Sequence, residues 1–292
     1  MIHMLSAGLL LALAGGWLLA YKAGRLKYGT YTKLVMEGLR LQRLSPSTLY
    51  LLEKIRVHRR FPRLFFRVQR AVQKLSGQGR SGELTLLFFA ETLNYAWFAL
   101  IIGCLLSLVG NSDPSGLFIG GILTIVIPMA LINDLYRKVQ RREQALIMEL
   151  PELLNKIMLL VGAGSTVQQA IKLCLERRQD QEDHPLYREL LQMQREWEGG
   201  DSFQQSMEGF SKRCGIQEVS AFTTAVLLNY RRGGQDFALA LRDLSHTLWE
   251  KRKAVSKTLG EQASAKLVFP MALLFIVLLI LVGAPAFMMM DL

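Results

Sequence analysis

The chain has 292 residues, 51% of them hydrophobic and 20% charged, with 35 basic against 24 acidic side chains for a formal net charge of +11. A soluble domain averages about 45–50% apolar and about 25% charged residues, so this balance points to a membrane class and excludes a disordered chain. Three scattered cysteines, Cys104, Cys174 and Cys214, exclude a disulfide framework, and no Cys/His spacing suits a metal.

Residues 4 to 21 form the first apolar span. Its flanking charges, Lys22, Arg25 and Lys27, follow the apolar stretch, whereas a cleaved signal peptide carries them in front. An uncleaved anchor over 1–21 is therefore expected. Gly8, Ala12, Gly16 and Ala20 recur every fourth residue, a small-residue ridge of the kind that lets membrane helices approach closely.

Residues 22–91 hold 15 bases and only three acids before Glu91, the composition of a basic linker. Pro62 is placed to open a helix with Leu64, Phe65, Val68, Ala71, Val72 and Leu75 on one face and Arg63, Arg67, Arg70 and Lys74 a third of a turn away. The expectation is a basic amphipathic helix, its partner either anionic lipid headgroups or the second cytoplasmic domain.

Two further apolar stretches, 92–110 and 116–133, approach the ~20 residues that cross a bilayer. The short Gly-Asn-Ser-Asp-Pro-Ser link between them makes 92–133 a membrane hairpin. Gly116 and Gly120 repeat the small-residue spacing, and Pro128 is a candidate bend.

Residues 134–266 read as an all-α, six-helix bundle. Leu146, Leu150, Leu153, Leu154, Ile157, Met158 and Val161 set out the first core-facing stripe. Shorter stripes begin at Val167, Leu186, Phe203, Val219 and Phe237. Three turns resemble one another, at Gly164-Ser-Thr-Val-Gln-Gln, Gly200-Asp-Ser-Phe-Gln-Gln and, more loosely, Gly234-Gln-Asp-Phe. A glycine can close one helix in the left-handed conformation while Thr166, Ser202 or Asp236 caps the next. Gln169 and Gln205 are placed to complete capping boxes. The glycine spacings, 36 and 34, lie near the tetratricopeptide period, but that repeat's Trp/Leu-Gly/Tyr signature is missing.

The last bundle helix runs without a linker into the fourth span, 267–290, which has no ionisable residue and 14 Leu, Ile, Val or Phe among 24 positions. Those residues alone favour insertion by about 4–8 kcal/mol. All 35 bases fall in 22–91 (15) and 134–266 (20). The positive-inside rule then makes both segments cytoplasmic and both termini external, which four spans satisfy. The net charge is thus mostly topological, and nucleic acid is not an expected partner.

Catalytic signatures are missing. No Gly-Lys pair exists to build a phosphate-binding P-loop, and no G-x-S-x-G nucleophile elbow occurs. His3, His58, His184 and His246 are far apart. No cofactor, metal site or catalytic residue is expected. Apart from Glu91 at the edge of the second span, no Asp, Glu, Lys or Arg falls within an expected bilayer core, where transport residues would lie.

The residues from Glu149-Leu-Pro-Glu-Leu through Val161-Gly-Ala-Gly-Ser-Thr-Val-Gln-Gln-Ala-Ile resemble the type II secretion system protein F domain family. So do Trp197-Glu-Gly-Gly with the next helix, Gly233-Gly234, and Gly260-Glu-Gln-Ala-Ser-Ala-Lys-Leu-Val-Phe-Pro before a span closing on Gly283-Ala-Pro285. The resemblance covers about 145–288. One such domain behind an anchor, a linker and a hairpin is similar to the TadB/TadC platform pair of tight-adherence (Tad, Flp-type) pili, nearer TadC. Ile276-Val277 stands where relatives often carry a mid-span proline.

The resemblance implies a non-enzymatic platform in the cytoplasmic membrane that couples a separate secretion ATPase to pilin assembly or extrusion. Its expected partners are that ATPase, a TadB-like sister or a second copy, pilin subunits and the bilayer. Gly164, Gly200, Arg231, Arg232 and Gly234 are then candidate partner contacts. The competing reading is a transporter or channel subunit with a helical regulatory domain.

Overall fold

The computed structural model describes residues 62–76, 81–109, 115–176, 183–232 and 236–290, with positions 8, 10, 11, 15–17, 19, 22, 48, 49 and 52; the side chains of 76, 109, 229, 231–238 and 284–290 are outside that description. The described residues are helical apart from short turns, with no strand among them. The helices are α1 (Pro62–Ser76), α2 (Ser81–Val109), α3 (Ser115–Gly162), α4 (Val167–Glu176), α5 (Pro185–Glu198), α6 (Phe203–Cys214), α7 (Gln217–Arg232) and α8 (Asp236–Met290). Three, α2, α3 and α8, are long and apolar enough to cross a membrane. Most of the expected first span lies outside the described residues, and its described positions are helical.

The chain divides into two compact units, Met1–Arg142 and Glu143–Leu292. In the first, α1 buries Val68, Ala71 and Val72 in a cluster with Leu84, Leu87 and Phe88 of α2 and Leu135 and Val139 of α3. This differs from both expectations for the amphipathic helix. Its apolar face is covered by the stems of the membrane hairpin, a partner that neither expectation named. Arg142 donates to the main-chain carbonyl of Lys74 and so ties the last turn of α1 to α3.

In the second unit, residues of α3 through α8 share one core, in which Leu146, Leu150, Leu154, Ile157, Leu190 and Phe222 are fully buried. The 3.6-residue periodicity locates this core because each helix hides one stripe. Polar ties join the helices around it. Tyr187 donates to Glu149 Oε1 at 2.8 Å, Ser245 to Asn155 Oδ1 at 2.8 Å, and Lys251 meets Glu218 at 2.5 Å. His184 caps α5, its Nδ1 accepting from Leu186 N at 3.3 Å.

Helix α8 is unbroken for 55 residues, about 82 Å at 1.5 Å per residue. It contributes Leu241 and Leu248 to the core, and from residue 256 to 282 every side chain is exposed. Pro270 and Pro285 both fall within it, as Pro128 falls within α3.

Candidate functional site

Two of the three similar turns are described, and they use the same hydrogen bonds. After α3, Gly164 has φ +98, its N–H donates to Val161 O at 2.9 Å, and Ser165 N donates to Leu160 O at 3.0 Å. After α5, Gly200 has φ +111, its N–H donates to Trp197 O at 3.2 Å, and Asp201 N donates to Glu196 O at 3.1 Å. Both are Schellman closures, with the glycine at the left-handed position that a side chain would strain. A capping box follows each. Gln169 N donates to Thr166 Oγ1 at 3.2 Å while Thr166 N donates to Gln169 Oε1 at 3.1 Å. Ser202 and Gln205 repeat the exchange at 3.2 and 3.4 Å.

The outcome is two stiff, exposed corners, with Gly164 and Gly200 open to solvent and nothing within 4 Å of an added Cβ. Such corners present fixed main chain to a partner at little entropic cost. Gly234 lies outside the described residues. Arg231 and Arg232 end α7, and their side chains are not described.

Gly200 stands beside a charged seam. Glu198 pairs with Lys172 at 3.2 Å, and the hydrogen bonds from Gln194 and Lys172 hold its carboxyl below the usual range. One helix further on, Arg213 donates from Nε to Glu189 at 2.9 Å and from Nη1 to Glu196 at 2.8 Å, fastening α6 to α5. A cleft between α6 and α7 is lined by Gln204, Glu208, Lys212, Ser220, Thr223 and Leu228, among others. Among the described residues, no group of His, Cys, Asp or Glu could hold a metal ion.

The membrane glycines divide into two sets. A Cβ on Gly120 would stand 2.6 Å from Gly103 Cα, and one on Gly116 would stand 2.5 Å from Ser107 N. These glycines therefore bring α2 and α3 into backbone contact, and Thr124 of α3 adds a hydroxyl donated to Ala96 O of α2 at 3.4 Å. Gly8 and Gly16 are different: an added Cβ at either meets nothing within 4 Å. Ala12 and Ala20 lie outside the described residues.

Sequence reasoning missed Gly103, although its position was available. Gly103 pairs with Gly120 and Ser107 with Gly116, the register of two antiparallel helices. Asn94, fully buried in α2 with neither amide atom hydrogen-bonded in the described structure, was also passed over. It lies three residues from the buried Glu91.

Against known proteins, no curated protein and no solved structure matches the chain. Residues 153–285 match the family "Type II secretion system (T2SS), protein F", spanning the end of α3, helices α4 to α7 and most of α8. Residues 153–285 are thus similar to a type II secretion system protein F domain, and among the described residues three helices are long and apolar enough to cross a membrane.

Proposed function

We propose that this protein is a non-enzymatic platform of a Tad-type pilus or type II secretion machine, nearest the TadC role. In this reading it sits in the cytoplasmic membrane with both termini outside and couples a cytoplasmic secretion ATPase to pilin assembly or extrusion. The observation that carries the reading is the coincidence of the family match at 153–285 with the unbroken helix α8. A continuous helix transmits displacement or torque because its hydrogen-bonded turns do not fold at a linker. The second unit meets the ATPase through the corners at Gly164 and Gly200 and the basic end of α7 at Arg231 and Arg232. The spans hold pilin and a TadB-like sister or a second copy.

The test is capture from native membranes with the full chain as bait. A secretion ATPase or sister platform protein should accompany it, and deletion should remove surface pili while solute uptake stays intact. Loss of uptake with pili retained would overturn the proposal in favour of a transporter subunit. Reversing both charges at Arg231 and Arg232 should reduce ATPase capture without changing membrane insertion; undiminished capture would reject that contact.

A further inference from the structure

Helix α1 has a second face that the core does not use. Arg63, Phe66, Arg67 and Arg70 follow the i, i+3, i+4, i+7 spacing of one stripe, all four are exposed, and Leu64 lies exposed beside them. No acid occurs anywhere in α1, and among the described residues none of these three arginines is paired with one. Phe66 is 60% and Leu64 49% exposed, unusual for large apolar side chains beside three unpaired cations in water.

Packing sets the depth of this face. The link from α1 to α2 is residues 77–80, yet Phe65 stacks on Phe89 with ring centroids 5.8 Å apart and planes 11° apart. That contact requires the two helices to run antiparallel, so the Pro62 end of α1 points toward the membrane. Phe89 precedes the expected start of the span, at residue 92, by three residues, or about 4.5 Å along the helix. Leu131, Ile132 and Leu135, where α3 leaves its own span, join the same cluster. The first turns of α1 are therefore pinned at the level where both hairpin helices cross from hydrocarbon to headgroups.

We infer that the N-terminal end of α1 is an anionic-phospholipid contact. Phe66 and Leu64 enter the interface, and Arg63 and Arg67, with Arg70 a turn further out, bind headgroup phosphates. Aromatic residues favour this layer, the arginine fork matches phosphate geometry, and each cation near an anionic surface strengthens binding about fivefold. The buried Val68, Ala71 and Val72 keep the helix fixed while the outer face meets lipid. The inference rests on the membrane reading of α2 and α3.

The test uses the full chain in phosphatidylcholine/phosphatidylglycerol vesicles. The native cysteines are buried, so Leu64→Cys takes a nitroxide label, with the exposed Lys212→Cys as the aqueous control. The label at 64 should collide with oxygen in preference to a water-soluble nickel complex, and the control should do the reverse. Spin-labelled phosphatidylglycerol should be selected over phosphatidylcholine, with the preference falling about fivefold for each of Arg63→Gln and Arg67→Gln. A label at 64 as open to nickel as the control, the result expected if an acidic protein covers this face, overturns the inference. So does unchanged lipid preference in the Gln variants. Alkaline extraction separates the two readings: protein that stays in the pellet with a water-exposed label refutes only the lipid contact, whereas protein released to the supernatant refutes the membrane assignment.

Discussion

Replacing Gly120 by alanine tests the hairpin most sharply, because its neighbour supplies the control. An added Cβ at Gly120 meets Gly103 Cα at 2.6 Å, Gly103 N at 3.3 Å and Ala99 O at 3.4 Å, whereas at Gly121 it meets nothing within 4 Å. Carbon atoms rest about 3.5–4.0 Å apart, so α2 and α3 must separate by about 1 Å to admit the methyl group. All three obstructing atoms are main chain, and no side-chain rotation relieves them. Overpacking of this kind costs about 1–3 kcal/mol, offset by at most ~1 kcal/mol of improved helix propensity. Gly121→Ala receives the propensity gain alone. The two alanines, one residue apart, should therefore act in opposite directions, with a gap of about 1–3 kcal/mol set by the overpacking term. Reversible unfolding of the full chain in mixed detergent and SDS micelles measures it. Equal effects at 120 and 121 would refute the backbone contact between α2 and α3.

Other perturbations probe the second unit. Arg213→Met strands the carboxylates of Glu189, 10% exposed, and Glu196, 28% exposed; a fully buried pair costs about 3–5 kcal/mol to break and this partly open one about 2–3. Proteolysis onset in urea reads the loss, and adding Glu189→Leu should cost less than the sum of the single changes. Gly164→Ala and Gly200→Ala should each lose about 1–2 kcal/mol through the left-handed backbone alone, and Thr166→Ala or Ser202→Ala about 1 kcal/mol through the cap, all four visible as earlier cleavage at those corners. Burial pushes the Glu218 carboxyl upward, but the hydrogen bond from Lys251, the backbone bond and the lysine charge outweigh it, leaving it below its ordinary value of 4.5. Its stabilising contribution is thus complete above that value and disappears as pH falls through the lower folded value. Glu218→Gln should flatten that part of the acid-unfolding curve, and an unaltered curve would remove Lys251–Glu218 from the account.

The helices of the second unit were legible because each reports its buried stripe within a few turns, as Leu146, Leu150 and Leu153 do for α3. The corners were legible for a similar reason, since Gly164, Thr166 and Gln169 interact only with their immediate neighbours. What escaped depends on partners distant in sequence. Arg213 finds Glu189 and Glu196 on another helix, 24 and 17 residues away, and Gly103 acquires meaning only opposite Gly120. Amphipathicity gave α1 an apolar face without saying what would cover it. The covering surface comes from helices that begin after α1 ends, and this is why lipid belongs to the arginine face instead.

The central claim is that the helical unit is an adaptor between an ATPase and the membrane, and photo-crosslinking from its exposed corners in living cells tests it most directly. A photoreactive residue at Asp201, beside Gly200, should capture a secretion ATPase from the cytoplasmic side. Labelling of that position by an impermeant reagent added outside intact cells, with no ATPase adduct, would contradict the account.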